Sequence, residues 1–132
     1  MSNLNKSDIF SSLKKAYQFI VDDFGYKVID QESSTPLLFY IRYENKSIAR
    51  IISVSIDLRE ADFGITIWKS LDGWTRDEDL LEFKDYLKKK KSIELPSLSD
   101  KVLDLNIIEK INQKNAHLLR EHGSELIAGE DY

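Results

Sequence analysis

Cysteine is absent from the 132 residues. Its absence removes disulfide staples, thiolate metal sites and thiol nucleophiles together, and it fits a reducing compartment. Glycine and proline are scarce, at five and two residues. The glycines are scattered, with no Gly-x-Gly-x-x-Gly, Walker loop or Gly-x-Ser-x-Gly elbow among them, so phosphate cradling and a hydrolase nucleophile turn are not predicted. Long apolar runs are missing too. The longest aliphatic and aromatic stretch is Leu37 to Ile41, far short of the roughly 20 residues a membrane span needs. The opening Met-Ser-Asn-Leu-Asn-Lys-Ser-Asp has no apolar core of the signal-peptide kind. A soluble, cytoplasmic protein is expected. Nor is there a basic excess: 19 Lys and Arg against 23 Asp and Glu leave a net charge of −4, which disfavours nucleic acid and anionic membranes and favours a basic protein partner.

What is present is the composition of a globular chain, 42% hydrophobic and 32% charged with the signs mixed. Its length suits one domain spanning residues 1–132, large enough to fold around a core without staples. Ile9, Phe10, Leu13, Tyr17, Ile20, Val21 and Phe24 recur at spacings of three and four, which predicts an amphipathic helix over residues 7–24. Gly25 supplies its stop. Residues 26–31 read as a first strand of unfixed register.

Residues 37–44, 47–57 and 63–69 alternate in the two-residue period of strands. With Asn45-Lys46 as a two-residue hairpin loop, Tyr43 falls opposite Ile48, Phe39 opposite Ile52 and Leu37 opposite Val54. A loop over residues 58–61 sets Ile56 against Phe63, Val54 against Ile65 and Ile52 against Ile67. That face is a core. The other face carries Arg42, Ser53, Ser55 and Thr66, and with them Tyr40, Ile51 and Trp68. Aromatic and arginine side chains on a sheet surface are the residue types of binding hot spots. Asp57, Glu60 and Asp62, at the tip joining the third and fourth strands, would give such a patch an acidic rim.

Further on, Thr75-Arg-Asp-Glu78 matches a capping box that opens a helix running to about Lys91. After the break at Pro96, Ser97 or Ser99 caps a long helix that carries Val102, Leu105, Ile108, Ile111, Leu118 and Leu119. Gly123 ends that helix, and Ser124 to Ala128 forms one short further turn. The expected class is therefore α+β: an N-terminal helix, an antiparallel meander of about four strands, two C-terminal helices and a short terminal turn. C-terminal helices packed beside the first leave the Tyr40, Ile51 and Trp68 face open; helices crossing behind the sheet bury it. Four polar residues on that face argue for the open arrangement.

No reaction chemistry emerges from the remaining candidates. His117 and His122 are five apart on a helix, which turns the rings away from each other, so no metal site is predicted. The acidic stretch from Asp72 to Asp79 lacks the alternating ligand positions of an EF-hand loop. Carboxylates are abundant, yet nothing fixes two of them in a cleft. Lys84 and Lys88 to Lys91 spray around a helix end instead of forming a face. No cofactor is implied, and the protein is not expected to be an enzyme.

Over its whole length the chain resembles small bacterial immunity proteins, which neutralise the toxin domains of polymorphic toxin and contact-dependent inhibition systems. The resemblance is carried by the opening helix running into Asp22-Asp-Phe-Gly25-Tyr, by the short meander behind it, and by Asn115-Ala-His-Leu-Leu-Arg-Glu-His-Gly123 followed by Glu125-Leu-Ile-Ala-Gly129. It implies an inhibitor that binds a cognate toxin domain directly and blocks its active site or a site beside it. On the residues alone, the expected contacts are Trp68, Tyr40, Ile51 and Arg42, with Asp57, Glu60 and Asp62 around them. The alternatives are a self-associating structural or adaptor protein using the same patch, and a small carboxylate-dependent enzyme.

Overall fold

The computed structural model describes residues 6–35, 38–58, 62–69, 80–94 and 104–130. Helix α1 (Lys6–Asp22) leads into strands β1 (Lys27–Thr35), β2 (Leu38–Asn45), β3 (Arg50–Asp57), β4 (Asp62–Trp68) and β5 (Leu80–Glu82). A short helix α2 (Phe83–Tyr86) then runs into a π-helical turn (Leu87–Lys91), and α3 (Leu105–Ile127) follows. The five strands form one antiparallel sheet in the order β1-β2-β3-β4-β5. The class is α+β.

Side-chain parity decides which sheet face is buried. Phe39, Ile41 and Tyr43 on β2, Ile52, Val54 and Ile56 on β3, and Phe63, Ile65 and Ile67 on β4 all point one way and are buried. They form one cluster with Ile9, Leu13, Tyr17 and Ile20 of α1, Phe83 and Leu87 after β5, and Ile108, Leu119, Leu126 and Ile127 of α3. Fully burying an aliphatic side chain of this size contributes about 1.5–3 kcal/mol. All three helices therefore lie on one side of the sheet, α3 beside α1. Gly25, with φ +74°, stops α1 as predicted. No helix among the described residues is long and apolar enough to cross a membrane.

The β3–β4 pairing is the one read from the sequence, with Ile56 opposite Phe63 and Ile52 opposite Ile67. The β2–β3 pairing is not. Phe39 faces Ile56, Ile41 faces Val54 and Tyr43 faces Ile52, a slip of four residues from the expected register. The cause is the loop. Asn45 is held in place by donating from Nδ2 to the Phe24 carbonyl, and its Oδ1 accepts from the Ser47 amide at 3.0 Å. That Asx turn starts a four-residue connection over 46–49, which returns through Ala49 at φ +51°. A slip by an even number preserves the faces but changes the neighbours across the strands.

Three element assignments also change. Residues 80–82 pair with β4 as a fifth strand instead of opening a helix, while Leu37 and the Thr75-to-Glu78 capping box lie outside the described residues. The strand β1 runs on to Thr35, with irregularities between Val28 and Asp30 and between Ser33 and Thr35. Such bulges bend an edge strand away from strand-to-strand association. Helix α3 is capped by Asp104, whose side chain accepts from the Ile107 amide at 2.9 Å; Ser97, Ser99 and Val102 lie outside the described residues. It then passes straight through Gly123 to a Schellman ending at Gly129, where the Glu130 amide reaches the Glu125 carbonyl and the Gly129 amide that of Leu126.

Candidate functional site

The face turned away from the helices is laid out in rows by the strand pairing. Glu44, Ile51, Trp68 and Leu80 lie side by side at one end. The next row runs Asp30, Arg42, Ser53, Thr66, Glu82, and the next Glu32, Tyr40, Ser55, Gly64. Leu38, Asp57 and Asp62 close the far end. Of the described helices only α2 borders this face, through Lys84.

Slipping the register moves the aromatic patch apart. Tyr40 sits opposite Ser55, not Ile51, and is separated from the Ile51–Trp68 pair by the intervening row. Ile51 is 0% exposed, so it is buried and not an accessible contact as the sequence reading expected. Trp68 is half-buried beside it. Tyr40, Arg42 and Asp57 are half-buried and Asp62 is exposed, while Glu60 lies outside the described residues.

Tyr40 and Arg42 are fixed by their neighbours on β1. The Tyr40 hydroxyl donates to Glu32 at 2.7 Å, and Arg42 Nη1 donates to Asp30 at 3.0 Å. The Arg42 guanidinium also lies 4.5 Å from the centroid of the Tyr40 ring. Donation to the Glu32 carboxylate raises the Tyr40 phenol above its ordinary range. Exposed pairs of this kind contribute little to stability, about 0–1 kcal/mol. Their effect is to hold two large side chains in one arrangement before anything binds.

The centre of the face is low. Ser53, Ser55, Gly64 and Thr66 form its floor, and a Cβ on Gly64 would meet Ser55 Oγ at 2.8 Å. Around that floor stand Asp30, Glu32, Glu44, Asp57, Asp62 and Glu82, against two basic residues in the rows, Arg42 and Lys27, the latter opposite Glu44. Sequence reasoning missed Asp30, Glu32 and Glu82. The first two carried a usable signal, since Asp30-Gln-Glu32 alternates in step with Tyr40-Ile-Arg42 and opposite charges favour that pairing. Glu82 was hidden by assigning its segment to a helix.

On the other side of the molecule a groove of about 440 Å³ runs between α1 and α3, with Lys15, Phe19, Glu109, His117 and Arg120 among its lining. Its charges are balanced: Arg120 pairs with Asp23 at 2.6 Å and His117 with Glu121 at 3.1 Å. His122 approaches the same Glu121 at 3.9 Å. Among the described residues no three His, Asp or Glu side chains converge in a way that could hold a metal ion. Searches against protein-family models, curated proteins and solved structures find no match for this chain.

Proposed function

We propose that the protein is an inhibitor that binds another protein, an immunity protein that neutralises a cognate bacterial toxin domain in the cytoplasm. The observation that carries this reading is the sheet face, covered by no described helix, on which Tyr40 and Arg42 are held by Glu32 and Asp30. Prearranged aromatic and arginine side chains lose little entropy on docking, and a surrounding excess of carboxylates steers a basic partner to them. Trp68, Asp57 and Asp62 complete the proposed contact, and Ile51 supports it from below.

The test is genetic and then physical. The C-terminal domain encoded by the adjacent reading frame is expressed with and without this chain, and the purified pair is examined by calorimetry. The expected result is growth arrest relieved by this chain and a direct 1:1 complex, weakened by at least about 2 kcal/mol in a Tyr40→Ala, Arg42→Ala double variant that melts like the parent. Growth unaffected by the neighbouring domain, or rescue without any complex, would overturn the reading.

A further inference from the structure

We infer that the partner lays a lysine- or arginine-bearing segment across β3 and β4, over Ser55 and Gly64, with its cations between Asp62 and Glu82; this rests on the protein-binding reading above and names the chemistry of the bound segment. The inference moves the centre of contact away from the aromatic end of the sheet. At that end Ile51 is fully buried and offers no surface to a partner.

Charge complementarity identifies the occupant. Six carboxylates stand on the described face, but they are not equivalent. Asp30 is paired with Arg42, Glu32 accepts from Tyr40, and Glu44 has Lys46 at 3.9 Å. The carboxylates of Asp62 and Glu82 make no ion pair or hydrogen bond with any described residue, and both residues are exposed. They flank a hollow of about 60 Å³ that Gly64 and Thr66 floor and Lys84 borders. Asp57 and Asp62 stand directly opposite each other across β3 and β4.

Shape agrees with charge. Serines and a glycine leave the floor below the level of Tyr40 and Arg42 on one side and Glu82 on the other, and β2 to β5 spans three strand spacings, roughly 14 Å. That width admits one segment of polypeptide with long side chains reaching to either edge. Nucleic acid is refused by the same ring of carboxylates, and an apolar partner finds serine and threonine where it needs a hydrophobic floor.

The probe is a short synthetic peptide of alternating lysine and serine, titrated at low ionic strength into the isotope-labelled chain and followed by amide chemical shifts. An alternating glutamate and serine peptide is the control. Shifts are expected at Ser53, Ser55, Asp57, Asp62, Gly64, Thr66 and Glu82 with the lysine peptide only, and added salt should reverse them. An Asp62→Lys, Glu82→Lys variant should bind about tenfold more weakly, while an Asp22→Lys, Glu109→Lys variant, changed on the helical side, should bind like the parent. Thermal melts of both variants establish that the fold is kept; should the first not fold, Asp62→Asn, Glu82→Gln replaces it. Shifts spread over every acidic surface, or equal weakening by both variants, would overturn the inference. Either result leaves the immunity reading to its own growth test, so the two fail separately.

Discussion

Arg50, on β3, donates from Nη1 to the carbonyl of Leu126, near the end of α3, at 2.9 Å, although 76 residues separate them in sequence. Its Nη2 reaches the carbonyls of Gly129 and Glu130 at 2.9 and 3.0 Å, and the residue is only 3% exposed. The cation sits at the negative end of the helix dipole, where its fork adds donors to the carbonyls of the helix ending. Arg50→Ala removes three charge-assisted hydrogen bonds that tie β3 to the end of α3, so unfolding in urea should show a loss of about 3 kcal/mol. Arg50→Lys, which keeps the charge without the fork, should recover only part of it. An alanine variant as stable as the parent would mean water replaces the guanidinium without cost.

Gly123 lies inside α3, where helix propensity alone would make Gly123→Ala stabilising by about 1 kcal/mol. The added methyl would approach Leu119 Cδ1 at 2.8 Å and Phe83 Cε1 at 2.9 Å. Leu119 and Phe83 are both fully buried, and Phe83 is also stacked on Tyr86 at 6.0 Å, so neither has room to yield. Overpacking of this kind costs roughly 1–3 kcal/mol, and the net effect expected is a lower melting temperature. An alanine variant melting above the parent would show that the ring has room to move.

Asn115 is 0% exposed and neither polar atom of its amide has a hydrogen-bond partner, whereas nearby Asn112 donates to Ser12 Oγ at 2.9 Å. Burying an unsatisfied amide costs about 1–3 kcal/mol. Asn115→Leu should therefore raise the urea midpoint, and Asn112→Leu, which breaks a bond between α3 and α1, should not. A fall in stability on the first change would point to an ordered water holding the amide.

Burial raises the phenols of Tyr17, Tyr26 and Tyr43 well above their ordinary range, and Tyr26 also donates to the Ile127 carbonyl at 2.6 Å. Below about pH 10 these groups are protonated in both folded and unfolded chains, and their contribution to stability is fully present. Above it the unfolded chain releases protons that the folded chain keeps, so stability falls by up to about 1.4 kcal/mol per pH unit for each phenol. Chemical denaturation between about pH 8 and about pH 11 should show this loss, with a shallower slope in Tyr17→Phe. An unchanged slope in that variant would remove Tyr17 from the set.

The two faces of the central strands were legible because parity needs only the order of apolar and polar residues: Phe39, Ile41 and Tyr43 against Tyr40 and Arg42. The partners across β2 and β3 were not, because loop length decides them and Asn45 spends its side chain on an Asx turn that composition does not reveal. Gly123 was misread for a related reason. A glycine that ends a helix and one that admits a neighbouring ring look alike until Phe83 is placed against it. Leu80 to Glu82 is too short for periodicity to tell strand from helix. At the candidate site, the outward faces of Tyr40, Arg42 and Trp68 follow from parity and Asp57 and Asp62 from their place at the strand tip; burial of Ile51 and the position of Glu82 on that face depend on tertiary packing.

The clamp at Arg50 also orders events during synthesis. A ribosome that has finished the central strands has made the guanidinium and the Tyr26 hydroxyl, but not Leu126, Ile127, Gly129 or Glu130, whose carbonyls receive them. Until α3 leaves the exit tunnel, a cation destined for the interior faces water and the apolar side of the sheet lacks the cover of Ile108, Leu119, Leu126 and Ile127. The nascent chain therefore completes this packing only after the end of α3 has been made.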